Sequence, residues 1–227
     1  MKQIFVPQAV VIDFDRTLGN VDAAVERLYN AAELCDIDVN HIREERIRFE
    51  NDGGSFDPLQ YIQSQLDQKS LEHFFEVYTA FEMPEIMYPD ARDFLKKLDD
   101  TEIYYIVLTY GTNPTWQLLK VRTSGYTGPV SVVHQTDKGK AIIEHREESG
   151  VYRFIDSTNN IEFIANTVCL IDDKEIAFKT LPSDCTGFLI HRDGTKLKNP
   201  QAVLPEHITT ISTLDLLYVD HGIVISD

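Results

Sequence analysis

The amino-acid sequence predicts an α/β protein in three layers, a parallel sheet covered by helices on both faces, with an all-helical segment inserted after the first strand. Two observations lead there. Five short apolar runs, rich in β-branched residues, each stop abruptly at a polar residue, and helix-like stretches separate the later ones; that alternation builds a parallel sheet buried on both sides. Residues 20–88 break the rhythm, with apolar residues at helical spacing and no strand-like run.

Taken in order, Ala9-Val10-Val11-Ile12 is continuously apolar and ends in Asp13-Phe14-Asp15, a strand with both faces covered. The insertion then carries Val25, Leu28, Tyr29, Ala32 and Leu34, next Ile42, Ile47 and Phe49, and finally Leu71, Phe74, Phe75 and Tyr78. The turn signal Asn51-Asp52-Gly53-Gly54-Ser55 divides it into two halves. After a helix over 90–98, the apolar run 103–108 stops at Thr109, and a helix over 114–123 follows. The run 130–133 stops at His134, before a helix over 138–148. Residues 151–163 read as a small hairpin around Asp156 to Asn160, and the run 168–171 stops at Asp172-Asp173. A helix over 174–181, a strand over 187–190 stopping at His191, a loop over 192–205 and a last helix capped by Thr213 complete the chain.

Composition narrows the function. The chain has 227 residues, enough for one domain with a sizeable insertion or two small ones. Lys and Arg number 21 against 37 Asp and Glu, a net charge of −16, so neither nucleic acid nor an anionic membrane surface is a fitting partner. A small anionic substrate requires local cations or a metal. The three cysteines, Cys35, Cys169 and Cys185, are widely spaced and odd in number, which disfavours a disulfide framework or a zinc knuckle. The first residues reach two acids before an apolar run long enough for a signal peptide, and no window approaches the ~18 apolar residues of a membrane span. A soluble, cytoplasmic protein is expected.

The polar residues that end the strands are candidates for one shared site, because open parallel sheets bind ligands at the carboxyl ends of their strands. Asp13-Phe14-Asp15-Arg16-Thr17 places two carboxylates two residues apart at such an end. Directly after four apolar residues, this is a pattern that composition alone would rarely supply. Two carboxylates with a positive charge nearby suit phosphoryl transfer through a covalent aspartyl intermediate, which needs an oxygen nucleophile and a proton carrier. Bare carboxylates would repel a phosphate dianion. A hard Mg²⁺ ion between them removes that repulsion.

Here the sequence resembles the haloacid dehalogenase-like hydrolases, whose phosphatase members carry four short motifs on the strand ends of one parallel sheet. Asp13 to Thr17 match the first motif, Thr109 the second, Lys138 in Thr136-Asp137-Lys138-Gly139-Lys140 the third, and Asp172-Asp173 the fourth. The resemblance implies a three-layer, Rossmann-like core over residues 1–19 and 89–227 and a small helical cap over 20–88. It implies that Asp13 attacks phosphorus, that Asp15 protonates the leaving alcohol and then activates water, and that Thr109 and Lys138 hold the phosphoryl oxygens. Mg²⁺ would bind the carboxylates of Asp13 and Asp172 and the backbone carbonyl of Asp15, with Asp173 orienting a metal water or Lys138. Members that remove halide lack an acid at the position of Asp15, so that residue points to phosphate chemistry.

The sequence departs from the family pattern in places. Arg16 stands where many members have Gly, and Lys174-Glu175-Ile176-Ala177 runs on after Asp172-Asp173 without the further acid some members carry. Lys140 competes with Lys138 for the third motif. Each residue also has a plain alternative: Thr109 as a strand terminator, Lys138 as a surface lysine, Asp172-Asp173 as a helix cap with a first-turn acid. In the cap, Gly53, Gly54 and Ser55 form a candidate substrate-facing loop, with Arg43, Arg46 and Arg48 as anion contacts. The expected activity is Mg²⁺-dependent hydrolysis of a small phosphomonoester by a monomer or homodimer. A phosphotransferase or sugar phosphomutase is the rival among enzymes, and a non-catalytic member that binds a phosphorylated ligand is the rival outside them.

Overall fold

The computed structural model describes residues 2–51, 57–81, 85–156, 161–192 and 204–226. The first strand, β1 (Lys2–Ile12), is followed by four helices, α1 (Val21–Leu34), α2 (Val39–Asn51), α3 (Pro58–Gln65) and α4 (Gln68–Ala80). Next come α5 (Pro89–Asp100), β2 (Tyr105–Tyr110), α6 (Pro114–Thr123), β3 (Val130–Val133), α7 (Lys138–Glu144), β4 (Tyr152–Asp156) and β5 (Ile161–Asp172). The described chain ends with β6 (Thr186–Ile190), β7 (Ile208–Ile211), β8 (Leu217–Asp220) and β9 (Ile223–Ser226).

Helix starts follow local chemistry. Asn20, Asp57, Asp67, Asn113 and Asp137 each turn a side-chain oxygen onto free N–H groups at the start of α1, α3, α4, α6 and α7. Pro58, Pro89 and Pro114 open α3, α5 and α6, where a missing N–H costs nothing.

The chain divides into two compact units. One comprises Met1–Gly19, Met87–Gly111 and Thr127–Asp227 and holds a Rossmann-like, seven-stranded sheet in the order β3-β2-β1-β5-β6-β7, with β4 paired to β5. All neighbours on the main path are parallel; β4 alone runs antiparallel. Ala9 and Val11 of β1 and Val168 and Leu170 of β5 pack with Ile142 of α7 and Phe178 in one apolar core.

The second unit comprises Asn20–Ile86 and Thr112–Tyr126, so α6 belongs with the four inserted helices. Its interior is organised around Arg27, which is 4% exposed and donates to the carbonyls of Tyr78 (2.9 Å), Thr79 (3.2 Å) and Thr123 (3.2 Å). One guanidinium therefore closes the carboxyl ends of α4 and α6, where helix carbonyls lack partners and a cation is favoured. Tyr78 meets Trp116 edge-on with ring centroids 6.1 Å apart, both rings buried as packing.

Several expectations change. β1 and β5 are longer than their apolar runs and pair from Lys2–Ile161 to Ile12–Ile171, because their outer halves are covered on one face only and leave Phe5 exposed. The expected hairpin over 151–163 is β4 with the start of β5 itself. Helix 174–181 reduces to one 3₁₀ turn, Glu175–Phe178, before Pro182. Thr213 caps another single turn, Leu214–Leu216, not a helix. The chain then forms the hairpin β8–β9, whose His221 (φ 48°) and Gly222 (φ 78°) are the paired left-handed residues of a tight two-residue turn. Helix-like apolar spacing also overstated the insertion's core, since Leu34 and Ile47 are exposed.

Candidate active site

The parallel register brings the expected residues to one rim of the sheet. β1 ends at Ile12, beside Ile171 of β5, and the Asp13 N–H donates to the Ile171 carbonyl at 2.8 Å. Asp13 and Asp172 thus leave adjacent strands at the same level. Both are buried, as are Lys138 and Thr109. Burying so many polar groups costs several kcal/mol unless they pair with one another.

They pair through Lys138. Its Nζ donates to Asp13 Oδ1 and, at 2.6 Å, to Asp172 Oδ2, while the Lys174 N–H donates to Asp172 Oδ1 at 2.8 Å. The Thr17 hydroxyl lies 3.5 Å from Asp13 Oδ2. Lys140, two residues on, is exposed, so the first lysine of the third motif is the one that reaches the acids. Thr109 is buried near the end of β2, two residues beyond Val107 and so beyond the level where β1 ends.

Oxygens of Asp13, Asp172 and Asp173 lie within 4.8 Å of one another. Asp15 is outside that close group; it follows in the turn after β1, bridged to Gly19. Asp173 does not hold Lys138, and its Oδ1 is buried with no hydrogen-bond partner.

The crowding shows in the acidities. Burial pushes the Asp13 carboxyl up to about 7; the Lys138 charge opposes this, but the carboxylates of Asp172 and Asp173 add to it. Asp173 is pushed up to about 6, again chiefly by burial. Burial would lower the Lys138 ammonium, yet Asp13 and Asp172 outweigh it and hold the proton more firmly than usual. Three carboxylates in so small a volume favour a proton or a cation.

The sequence reading missed two charged neighbours. Lys174 is half-buried; burial would lower its ammonium pKa, but Asp13, Asp173 and Asp172 outweigh it and hold the proton more firmly than usual. Arg192 follows the end of β6 and touches the turn after Asp13. Both directly follow strand-ending residues, so extending the strand-end rule by one position would have found them. The candidate cap loop, Gly53 to Ser55, lies outside the described residues. Of the cap arginines, Arg46 pairs with Asp22 at 2.8 Å, Arg48 pairs with Glu45 at 2.6 Å, and Arg43 stands 4.9 Å over the Tyr29 ring. Among the described residues, no helix is long and apolar enough to cross a membrane.

No family model matches the sequence, and a search of the curated proteins returns no relative. Solved structures do match. A haloacid dehalogenase-like hydrolase from Burkholderia xenovorans LB400 superposes with a TM-score of 0.61 at 18% identity, over 92% of this chain and 94% of that one. The HAD-hydrolase YfnB of Bacillus subtilis, solved bound to magnesium, gives 0.52 at 11% identity over 92% and 96%. A protein of unknown function from Bordetella pertussis Tohama I gives 0.53 at 11% identity over 82% and 90%. Likeness at these identities is a likeness of fold, and chemistry must be argued from the site. With its seven-stranded, mostly parallel sheet and an acid cluster at the strand ends, the chain has the fold of the haloacid dehalogenase-like hydrolases.

Proposed function

We propose that the protein is a Mg²⁺-dependent phosphomonoester hydrolase that acts on a small phosphorylated metabolite in the cytoplasm through an aspartyl-phosphate intermediate. The observation that carries this reading is the Lys138 ammonium held between the Asp13 and Asp172 carboxylates at the carboxyl ends of β1 and β5. The acids suit a hard divalent cation, since their oxygens converge within 4.8 Å and Asp173 Oδ1 is a buried acceptor without a donor. The carboxylates of Asp13 and Asp172, with the backbone carbonyl of Asp15, would hold the ion, and Asp173 would support them. Bound Mg²⁺ would offset the negative charge that three carboxylates present to a phosphate dianion.

Asp13 attacks phosphorus, forming an oxygen–phosphorus bond as the bond to the leaving alcohol breaks. Asp15, two residues on, gives its proton to that alcohol. It then takes a proton from water, whose oxygen displaces Asp13 and releases inorganic phosphate. Lys138, whose proton is firmly held, and Thr109 support the transferring oxygens. Residues 20–88 are read as the cap that selects the non-phosphate part of the substrate, and residues 1–19 and 89–227 as the core that does the chemistry.

The test is a phosphometabolite screen with and without EDTA, beside the variant Asp13→Asn. Phosphate release that needs the metal and vanishes in a folded Asp13→Asn protein is expected. Substantial turnover by the variant would remove Asp13 as nucleophile. No hydrolysis across the screen, with one ligand bound tightly, would replace the enzyme reading with a binding protein.

A further inference from the structure

Arg192 gathers three separate segments of the sheet-bearing unit. Its Nη2 donates to the Thr17 carbonyl at 2.6 Å and its Nε to the Arg16 carbonyl at 3.2 Å. Its Nη1 lies 3.0 and 2.9 Å from the two carboxylate oxygens of Asp90, and the guanidinium stands 3.9 Å from the centre of the Tyr88 ring. Asp90 is itself fixed from a third side, accepting from the Thr213 hydroxyl at 2.8 Å and the Leu214 N–H at 2.9 Å. Burial pushes the Asp90 carboxyl up, but the bonds from Arg192, Leu214 and Thr213 outweigh it and hold the carboxyl below the usual range. The Asp90 carboxyl is therefore ionised at neutral pH, and a planar fork stacked on an aromatic ring is a geometry lysine does not reproduce.

The segment it grips is unusual. Arg16 has φ 63°, in the left-handed region that L residues avoid. Its N–H donates to the Gly19 carbonyl at 2.7 Å, and the Gly19 N–H returns to Phe14 at 2.7 Å. The Asp15 carbonyl shares a peptide plane with the Arg16 N–H. Of the three peptide units after Asp15, the first is thus held by Gly19 through the Arg16 N–H, and the next two by Arg192 through the Arg16 and Thr17 carbonyls. A strained turn persists only where its surroundings over-determine it.

We infer that Arg192, anchored by Asp90, is a positioning residue that sets the orientation of Asp15 by holding the carbonyls of Arg16 and Thr17. The inference rests on the reading of Asp15 as the residue that protonates the leaving alcohol. A poor alkoxide leaving group needs that proton, and a nitrophenolate does not, so displacing Asp15 penalises the two substrates unequally.

The experiment compares the wild type with Arg192→Lys, using glycerol 2-phosphate and p-nitrophenyl phosphate, together with hydrogen exchange at the amides of Arg16, Leu18 and Gly19. The variant is expected to lose about 10- to 100-fold in kcat on the alkyl ester, less than about threefold on the aryl ester, with KM unchanged on both. Exchange at the three amides is expected to rise at least about tenfold while β1 amides keep their rates. Equal losses on the two esters, or unchanged exchange in the turn, would overturn the inference. If the lysine variant does not fold, Asp90→Asn is measured in the same way, with the same expected and refuting results. If the wild type hydrolyses neither ester, the exchange data decide the clamp by themselves, and the phosphatase reading is decided by the phosphometabolite screen.

Discussion

Gly139 decides where Lys138 stands, and replacing it with alanine tests that directly. A methyl group built on Gly139 would lie 2.4 Å from the Leu181 nitrogen, 2.8 Å from the Thr180 carbonyl carbon and 2.9 Å from the Leu181 Cα. Ordinary carbon contacts begin near about 3.5 Å, so the start of α7 and the 180–181 backbone must part by about 1 Å. The turn is not free to yield, because Asp137 Oδ1, which caps α7, also accepts from the Thr180 hydroxyl at 3.1 Å. A shift of about 1 Å opens the 2.6 Å contact between Lys138 and Asp172 beyond hydrogen-bond range. In an unobstructed helix, glycine to alanine stabilises by about 0.5–1 kcal/mol. Overpacking of about 1–3 kcal/mol reverses that sign here. Gly139→Ala should therefore lower Tm, by about 2–4 °C per kcal/mol for a chain of this length, and cut kcat by about 100-fold in phosphate-release assays at saturating substrate. An alanine variant that is more stable than the wild type, with kcat within about twofold, would refute the reasoning.

Three further outcomes are expected. Lys140→Ala should keep kcat within about twofold while Lys138→Ala loses at least about 100-fold, since the Lys138 ammonium bridges the acids and Lys140 is exposed; similar losses in both would be the contrary result. Arg27→Met leaves the buried Tyr78 carbonyl and the part-buried Thr79 and Thr123 carbonyls without their donor and should cost about 2–4 kcal/mol in denaturant unfolding, with a loss below about 1 kcal/mol counting against this helix-end clamp. A carboxyl at about 7 in the folded protein and 3.8 otherwise keeps a proton that the unfolded chain releases, so Asp13 makes metal-free protein less stable as pH rises through that window. The stability difference between wild type and Asp13→Asn in EDTA should accordingly fall by a few kcal/mol from about pH 4 to 7, and a flat or rising difference would contradict the buried-acid assignment.

The strand ends were legible because their signal is local. A doubly covered strand such as Ala9 to Ile12 must be apolar throughout, and its abrupt stop at Asp13 marks the rim where ligands bind. Thr109 and Asp172 were found by the same rule, whereas Lys138, the first residue of α7, was found through the resemblance to the four-motif pattern. The outer half of β1, the strand β7 and the hairpin β8–β9 were missed because one-sided or very short strands carry no continuous apolar run. The helix expected over 174–181 failed because apolar spacing over so few residues does not distinguish an α-helix from a single 3₁₀ turn.

What the sequence by itself determined was the set of candidate residues, the order of the strands that present them, and the helical character of the insertion. Tertiary structure decided how they combine. It selected Lys138 over Lys140, drew Asp173 into the close acid group while leaving Asp15 in the turn, and set Arg192 against the Arg16 and Thr17 carbonyls. The physical reason is range: hydrophobic patterning and capping act within a few residues, whereas a buried charge finds its partner through strand register and close backbone approach, here across 125 residues between Asp13 and Lys138.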